Sequence, residues 1–184
     1  MSGKHSDRAN GDNRAAVGDV VIENPSKSDG AALWRIARDS QKLDLNSSYA
    51  YLLWCHDFAS TSVVARVDGE PVGFVMGYRR QDAPDAVVVW QVAVDSSQRG
   101  RGLAGKLLDA LFDGLVDAGG VQYLETTITP DNEASIRLFT SFAKRWDAEL
   151  KSSALFAADD FPDEHEPEDH YLIGPLAPRN VASG

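Results

Sequence analysis

The sequence predicts an α/β fold of the α+β kind, in one domain. Its expected architecture is a central, mixed and mostly antiparallel twisted sheet of about six to seven strands, with helices on both faces. Three observations carry this. Residues Val87 to Val94 read VVVWQVAV, a run rich in branched side chains that crowd a helix but fit a pleated surface, and so predict a strand buried on both faces. The segment after Gly102 repeats Leu103, Leu107, Leu111 and Leu115 at spacing four, with Ala104, Leu108, Phe112 and Val116 one step on, which is a wide core-facing helical stripe. Finally, the segments follow the order β, α, α, β, β, β, α, β, α, β, β, a pattern that layers helices on a mixed sheet.

The elements follow in order. Residues 1–18 are polar and rich in Gly, Asn and Asp, and are expected to form a flexible tail, leaving 19–176 as the domain and 177–184 as a C-terminal tail. Asp19 to Glu23 is a short strand ended by Pro25, after which Ser28 or Asp29 can cap a helix carrying Leu33, Trp34, Ile36 and Ala37. A turn at 43–48 leads to a second helix, Tyr49 to Phe58. Thr61 to Val67 and Pro71 to Arg80 flank Asp68-Gly69, a strong hairpin signal. The long strand follows, then the helix from Gly102, which Gly119-Gly120 stops. Val121 to Ile128 is the next strand, and Pro130-Asp131-Asn132 opens a helix with Ile136, Leu138, Phe139 and Phe142. Strands around Trp146 to Lys151 and Tyr171 to Ile173 flank an acidic loop.

Composition excludes several classes of function. The 184 residues carry 18 Lys and Arg against 28 Asp and Glu, a net charge of −10, which argues against nucleic acid and suits a cationic small-molecule substrate. The single cysteine, Cys55, allows no internal disulfide framework and fits a reducing cytoplasm, and in YLLWCHDF it reads as core filler. No apolar run approaches a membrane span, and the N-terminus lacks a signal-peptide core. The four histidines form no ligand spacing with Cys55, so no metal is expected.

The functional signal lies where the long strand runs into Gln98 to Gly105, a basic, glycine-rich turn that opens a helix. Free backbone N–H groups and the helix dipole favour phosphate there. Neither a P-loop nor a dinucleotide fingerprint is present. What stands is Arg99-Gly100-Arg101-Gly102-Leu103-Ala104, and this resembles the R/Q-x-x-G-x-G/A signature of the GNAT superfamily of N-acetyltransferases. The resemblance extends to one branch, the diaminobutyrate acetyltransferases. It rests on LDLNSSYAYLL at 43–53, TSVVA at 61–65, VGFVMGYR at 72–79, WQVAVD at 90–95, ETTITPDNEAS at 125–135 and LIGP at 172–175.

That resemblance implies transfer of acetyl from acetyl-CoA to the γ-amine of L-2,4-diaminobutyrate, giving a precursor of the compatible solute ectoine, by a cytoplasmic homodimer. For the cofactor it points to the backbone from Arg99 to Gly105, including Ala104, with Gly100 and Gly102 clearing the approach and Arg99 and Arg101 adding charge. Val92 and Val94 would pair with the pantetheine arm, and Asn132 would meet it or cap its helix. At the position where many members of the superfamily carry a proton-donating Tyr stands Phe139, which has no proton to give. Three places are candidates for the acceptor. Asp44 can hold or deprotonate an ammonium or cap a helix, and Trp90, on the face of Val92 and Val94, can line the site or the core. His165 and Glu168, in the acidic loop, can close over the substrate, with both carboxylates as candidates for catalysis; Tyr49 is a further candidate against a packing role. A polyamine, aminoglycoside or lysine-type acceptor stays open, as does a CoA-binding sensor without turnover.

Overall fold

The computed structural model describes residues 19–41 and 43–179. The tail expected over 1–18 and residues 180–184 of the C-terminal one lie outside the described residues. The elements are β1 (Val20–Glu23), α1 (Gly30–Ser40), α2 (Ser48–Asp57), β2 (Val63–Val67), β3 (Glu70–Arg79), β4 (Ala86–Val94), α3 (Leu103–Asp117), β5 (Tyr123–Ile128), α4 (Glu133–Arg145), β6 (Glu149–Phe156) and β7 (Glu168–Gly174). They follow the order read from the sequence.

One seven-stranded sheet has the order β1-β2-β3-β4-β5-β7-β6, and only the β4/β5 pair is parallel. Asp68 and Gly69 both take positive φ, 52° and 83°, the geometry a two-residue hairpin needs between right-twisted strands. One core lies under α3 and α4, where Leu107, Leu108, Phe112 and Phe142 meet Val75, Val87, Val89, Leu124 and Ile173. On the other face, α1 and α2 bring Leu33, Ile36, Tyr51 and Cys55 against Val64, Phe74, Met76 and Ala93. No residue of β5, β6 or β7 joins that second cluster, so α1 and α2 cover only half of their face.

A bulge in β4 changes the reading of the long strand. Gly77 pairs with Val89 and Met76 with Gln91, leaving Trp90 without a partner. An extra residue in a strand shifts the alternation that follows it. Val87, Val89, Val92 and Val94 therefore face α3 and α4, whereas Trp90, Gln91 and Ala93 face α1 and α2. The expectation that Trp90 shares a face with Val92 and Val94 is corrected. So is burial on both faces, since Trp90 is 40% exposed.

Two C-terminal strands also differ from expectation. β6 starts at Glu149, not Trp146, because Trp146 closes α4 instead: it stacks on Phe142 and its indole N–H donates to Asp109 at 3.0 Å. β7 starts at Glu168, which moves that carboxylate out of the loop and onto a strand. Arg179, beyond the boundary expected at 176, lies over the Trp146 ring and donates to both oxygens of the Asp113 carboxylate. The chain is thus anchored to α3 past β7.

Candidate active site

The site forms where β4 leaves β5. The two strands pair only over Ala86–Val88 with Tyr123–Glu125, and the Thr126 hydroxyl then takes the Val89 carbonyl at 2.9 Å. Beyond that point, a cleft of about 1060 Å³ opens toward α3 and α4, and a cavity of about 450 Å³ opens toward β7. Val92, Asn132 and Ser135 line both, so the two spaces meet beside β4.

The larger cleft is built from the turn after β4. Asp95 caps the short 3-10 turn at Ser96–Gln98 by accepting the Ser97 N–H at 3.1 Å, and it also accepts Arg35 at 3.1 Å. Those bonds, the Ser97 N–H first, hold its carboxyl below the usual range despite partial burial. Gly100 and Gly102 follow with φ of 78° and 69°. No atom lies within 4 Å of a Cβ added at either, so the left-handed backbone itself is what demands glycine there. Gly102 precedes the first turn of α3, whose leading N–H groups have no partner within the helix. The N–H groups and the dipole suit a pyrophosphate. Of the residues proposed from the sequence for the cofactor, Val92, Val94, Arg99, Gly102, Ala104, Gly105 and Asn132 line this cleft. Gly100 and Arg101 do not, and Arg101 instead donates to Gln98 in the exposed turn. Asn132 is the cap of α4, its Oδ1 accepting the Ser135 N–H at 3.1 Å, and the residue also lines the cleft.

The smaller cavity gathers Asp44, Trp90, His165 and Glu168 from four parts of the chain. Tyr171 and Ile173 belong to the core under α3 and α4, so alternation along β7 puts Glu168 on the opposite face, the side of Trp90. Glu168 Oε2 is buried and has no hydrogen-bond partner among the described residues. A buried carboxylate oxygen left unbonded is costly, and an ammonium in the cavity is a group that would satisfy it. His165 Nδ1 donates to the Glu166 carbonyl at 2.6 Å, and Nε2 lies 3.4 Å from Asp44 Oδ2. The Glu166 carbonyl foremost, then the Asp44 and Glu168 carboxylates, raise its pKa against some desolvation and favour the imidazolium. The ring also stacks on Phe161 at 4.0 Å, which fixes the strap between β6 and β7. Trp90 stacks on Trp54 at 4.2 Å. Phe139, 3% exposed, forms part of the wall and offers no proton.

Tyr49 does not join this group; it is 68% exposed and outside both cavities. On α2, Tyr51 and Cys55 turn to the sheet, and two residues are 200° of helical rotation, which puts Tyr49 on the opposite side. From α2, Tyr51 and Trp54 contact residues of the site: the Tyr51 hydroxyl donates to Gln91 Oε1 at 3.0 Å, and Trp54 stacks on Trp90. Gln91 itself lines the smaller cavity. Neither Tyr51 nor Gln91 was visible as a candidate in the sequence. The one signal was a lone amide in an apolar strand, and the bulge that turns it inward has no sequence mark.

Known proteins agree with this geometry. The acetyltransferase (GNAT) family model matches residues 31–143. The L-2,4-diaminobutyric acid acetyltransferase of Streptomyces coelicolor is 60% identical over 165 residues, 89% of this chain and 97% of its own length. That of Marinococcus halophilus is 48% identical over 162 residues, 88% of this chain and 93% of its own length. The solved diaminobutyrate acetyltransferase EctA from Paenibacillus lautus, in complex with its substrate L-2,4-diaminobutyric acid and coenzyme A, superposes with a TM-score of 0.80. It is 38% identical, with 86% of this chain and 96% of that one covered. The chain belongs to the acetyltransferase (GNAT) family and, within it, to the L-2,4-diaminobutyric acid acetyltransferases.

Proposed function

We propose that the chain transfers the acetyl group of acetyl-CoA to the γ-amine of L-2,4-diaminobutyrate, releasing N-γ-acetyl-L-2,4-diaminobutyrate and CoA. One observation carries the reading: Glu168, whose Oε2 is buried and unbonded among the described residues, lines a cavity that joins, beside Val92, a cleft whose wall includes the N-terminus of a helix. An anionic thioester on one side and a cationic acceptor on the other match those two spaces. The first turn of α3 holds the pyrophosphate, and the stretch of β4 beyond its pairing with β5 meets the pantetheine arm.

An amine of pKa near 10 is only about one part in a thousand neutral at pH 7, so a carboxylate must take its proton before attack. Glu168 accepts that proton, directly or through water, and Asp44 holds the second ammonium of the substrate. His165, charged, ties the strap to Asp44. The freed nitrogen lone pair bonds to the thioester carbon, a main-chain N–H of β4 steadies the oxyanion, and the C–S bond breaks. The CoA thiolate leaves and takes its proton from water. With Phe139 in the wall no tyrosine supplies it, and a thiol of pKa near 8.5 leaves without one.

The same reading makes the enzyme a cytoplasmic homodimer, supported by its reduced, buried Cys55 and by the exposed Leu155 and Phe156 on the edge strand β6. Thiol release measured with diaminobutyrate, ornithine, lysine and spermidine tests the activity. Diaminobutyrate should give the highest kcat/KM by tenfold or more. Preference for another amine, or acetyl-CoA binding without release, overturns it.

A further inference from the structure

Gln91 is an amide in an otherwise apolar strand, and it is 5% exposed. The bulge at Trp90 turns it toward α2, where the fully buried Tyr51 donates its hydroxyl to Oε1 at 3.0 Å. From the other end of the amide, Nε2 donates to the backbone carbonyl of Asp44 at 3.0 Å. The amide orientation is fixed by its partners, because a carbonyl can only accept and a hydroxyl is needed to donate to Oε1. Burial pushes the Tyr51 hydroxyl above its ordinary pKa, so it remains a donor.

Burying a phenol and an amide is costly, and an apolar pair of the same shape can serve stability as well. What an apolar pair cannot do is reach out of the core and hold a loop carbonyl. Among the described residues the Asp44 carbonyl has one other donor, the Asn46 side chain at 3.3 Å, within the same turn. The Asp44 side chain itself is 90% exposed, and its carboxylate meets the His165 ring at 3.4 Å. Gln91 therefore ties this turn to the sheet, and Asn46 of the same turn adds hydrogen bonds to the Tyr51 hydroxyl. Gln91 sits next to Val92, one of the residues that line both the larger cleft and the smaller cavity.

We propose that Gln91 and Tyr51 are positioning residues of the acceptor site: anchored in the core, they set the distance between the Asp44 turn and the acetyl-bearing stretch of β4. This rests on the reading that Asp44 binds an ammonium of the diamine. The device measures substrate length, since it fixes Asp44 relative to the strand where the thioester lies. Ornithine, one methylene longer, then misplaces either its bound ammonium or its attacking one.

Gln91→Met and Tyr51→Phe, each checked for an intact circular dichroism spectrum and thermal midpoint, test it alone and combined with Asp44→Asn. Each single variant should lower kcat/KM for diaminobutyrate about tenfold or more, with KM for acetyl-CoA within twofold of the parent. The preference for diaminobutyrate over ornithine should shrink by a similar factor. In the Asp44→Asn background the same changes should add less than threefold, because there is no carboxylate left to position. Multiplying effects in the double variants, an unchanged diaminobutyrate-to-ornithine ratio, or a matching rise in KM for acetyl-CoA overturns the proposal. If Gln91→Met unfolds, the milder Tyr51→Phe decides by the same criteria. Failure of the underlying reading looks different: Asp44→Asn alone then keeps the parent kcat/KM.

Discussion

Glu168 and His165 stand three residues apart and play opposite electrostatic parts. His165 has a carbonyl on one ring nitrogen and a carboxylate near the other, so its folded pKa is raised and the imidazolium dominates at lower pH. By linkage, whatever the charged ring contributes to closing the strap is complete below the unfolded pKa near 6.5 and is lost as pH rises through the raised value. A ring so held is a poor base where it is charged, and the proposed mechanism therefore gives the proton to Glu168, whose buried oxygen has no hydrogen-bond partner among the described residues. Glu168→Gln keeps the shape and removes the charge. Its kcat/KM for diaminobutyrate should fall by roughly 10² or more, while calorimetric affinity for acetyl-CoA stays within twofold. A variant with the parent rate constant would assign the proton to another group.

At the scale of elements, the proposed cofactor site rests on the backbone of the turn between β4 and α3. Gly102 has φ of 69° and open space around it, so substitution is penalised by conformation and not by a clash within the protein. A β-branched residue there costs about 1–2 kcal/mol or forces the turn to relax, moving the N–H groups at the start of α3. Gly102→Val should therefore fold with a lowered thermal midpoint and bind CoA at least tenfold more weakly by titration calorimetry. Unchanged affinity would take the pyrophosphate away from this turn. The bulge in β4 has equal weight: one unpaired residue, Trp90, sends Val92 to the larger cleft and Gln91 to the Asp44 turn.

Across the whole molecule, two edges of the chain are stapled by arginines. Arg179 ties the segment after β7 to α3. Arg66 on β2 donates to both oxygens of Asp29 at 2.9 Å, joining the sheet to the start of α1. The side chain of Asp29 is only 5% exposed. Burial pushes its pKa up, but the Ser26 N–H and hydroxyl and the Arg66 guanidinium together outweigh that and hold it below the ordinary value. A lowered folded pKa contributes stability above pH 4, lost as pH falls through the folded value. Arg66→Met leaves the carboxylate buried and unpaired, at a cost of about 3 kcal/mol, or a midpoint lower by about 6–12 °C near pH 7. The gap to the parent protein should narrow as pH falls through the lowered pKa of Asp29, below which the carboxyl is protonated in both. A gap that stays constant with pH would mean that the ion pair contributes nothing.

The sequence by itself determined the order of the eleven elements, the mixed sheet and the glycine-rich turn ahead of α3. Those features are local. The Val-rich run, the spacing of leucines in α3, Asp68-Gly69 and the glycines at 100 and 102 each act on their own neighbours in the chain. The candidates for the acceptor had other sources: Trp90 came from strand alternation, Asp44 from an acid in a turn, and His165 and Glu168 from a motif of the resemblance, since nothing local marks a loop carboxylate as a ligand. Only the tertiary structure decided the rest. It fixed which face Trp90 takes, that Glu168 belongs to a strand, that Tyr49 points away while Tyr51 points in, and that Gln91 carries the Asp44 turn. Each of these depends on a contact between segments distant in sequence. A bulge is a mismatch between two strands, so neither strand alone records it, and the faces of every residue beyond it follow from that mismatch.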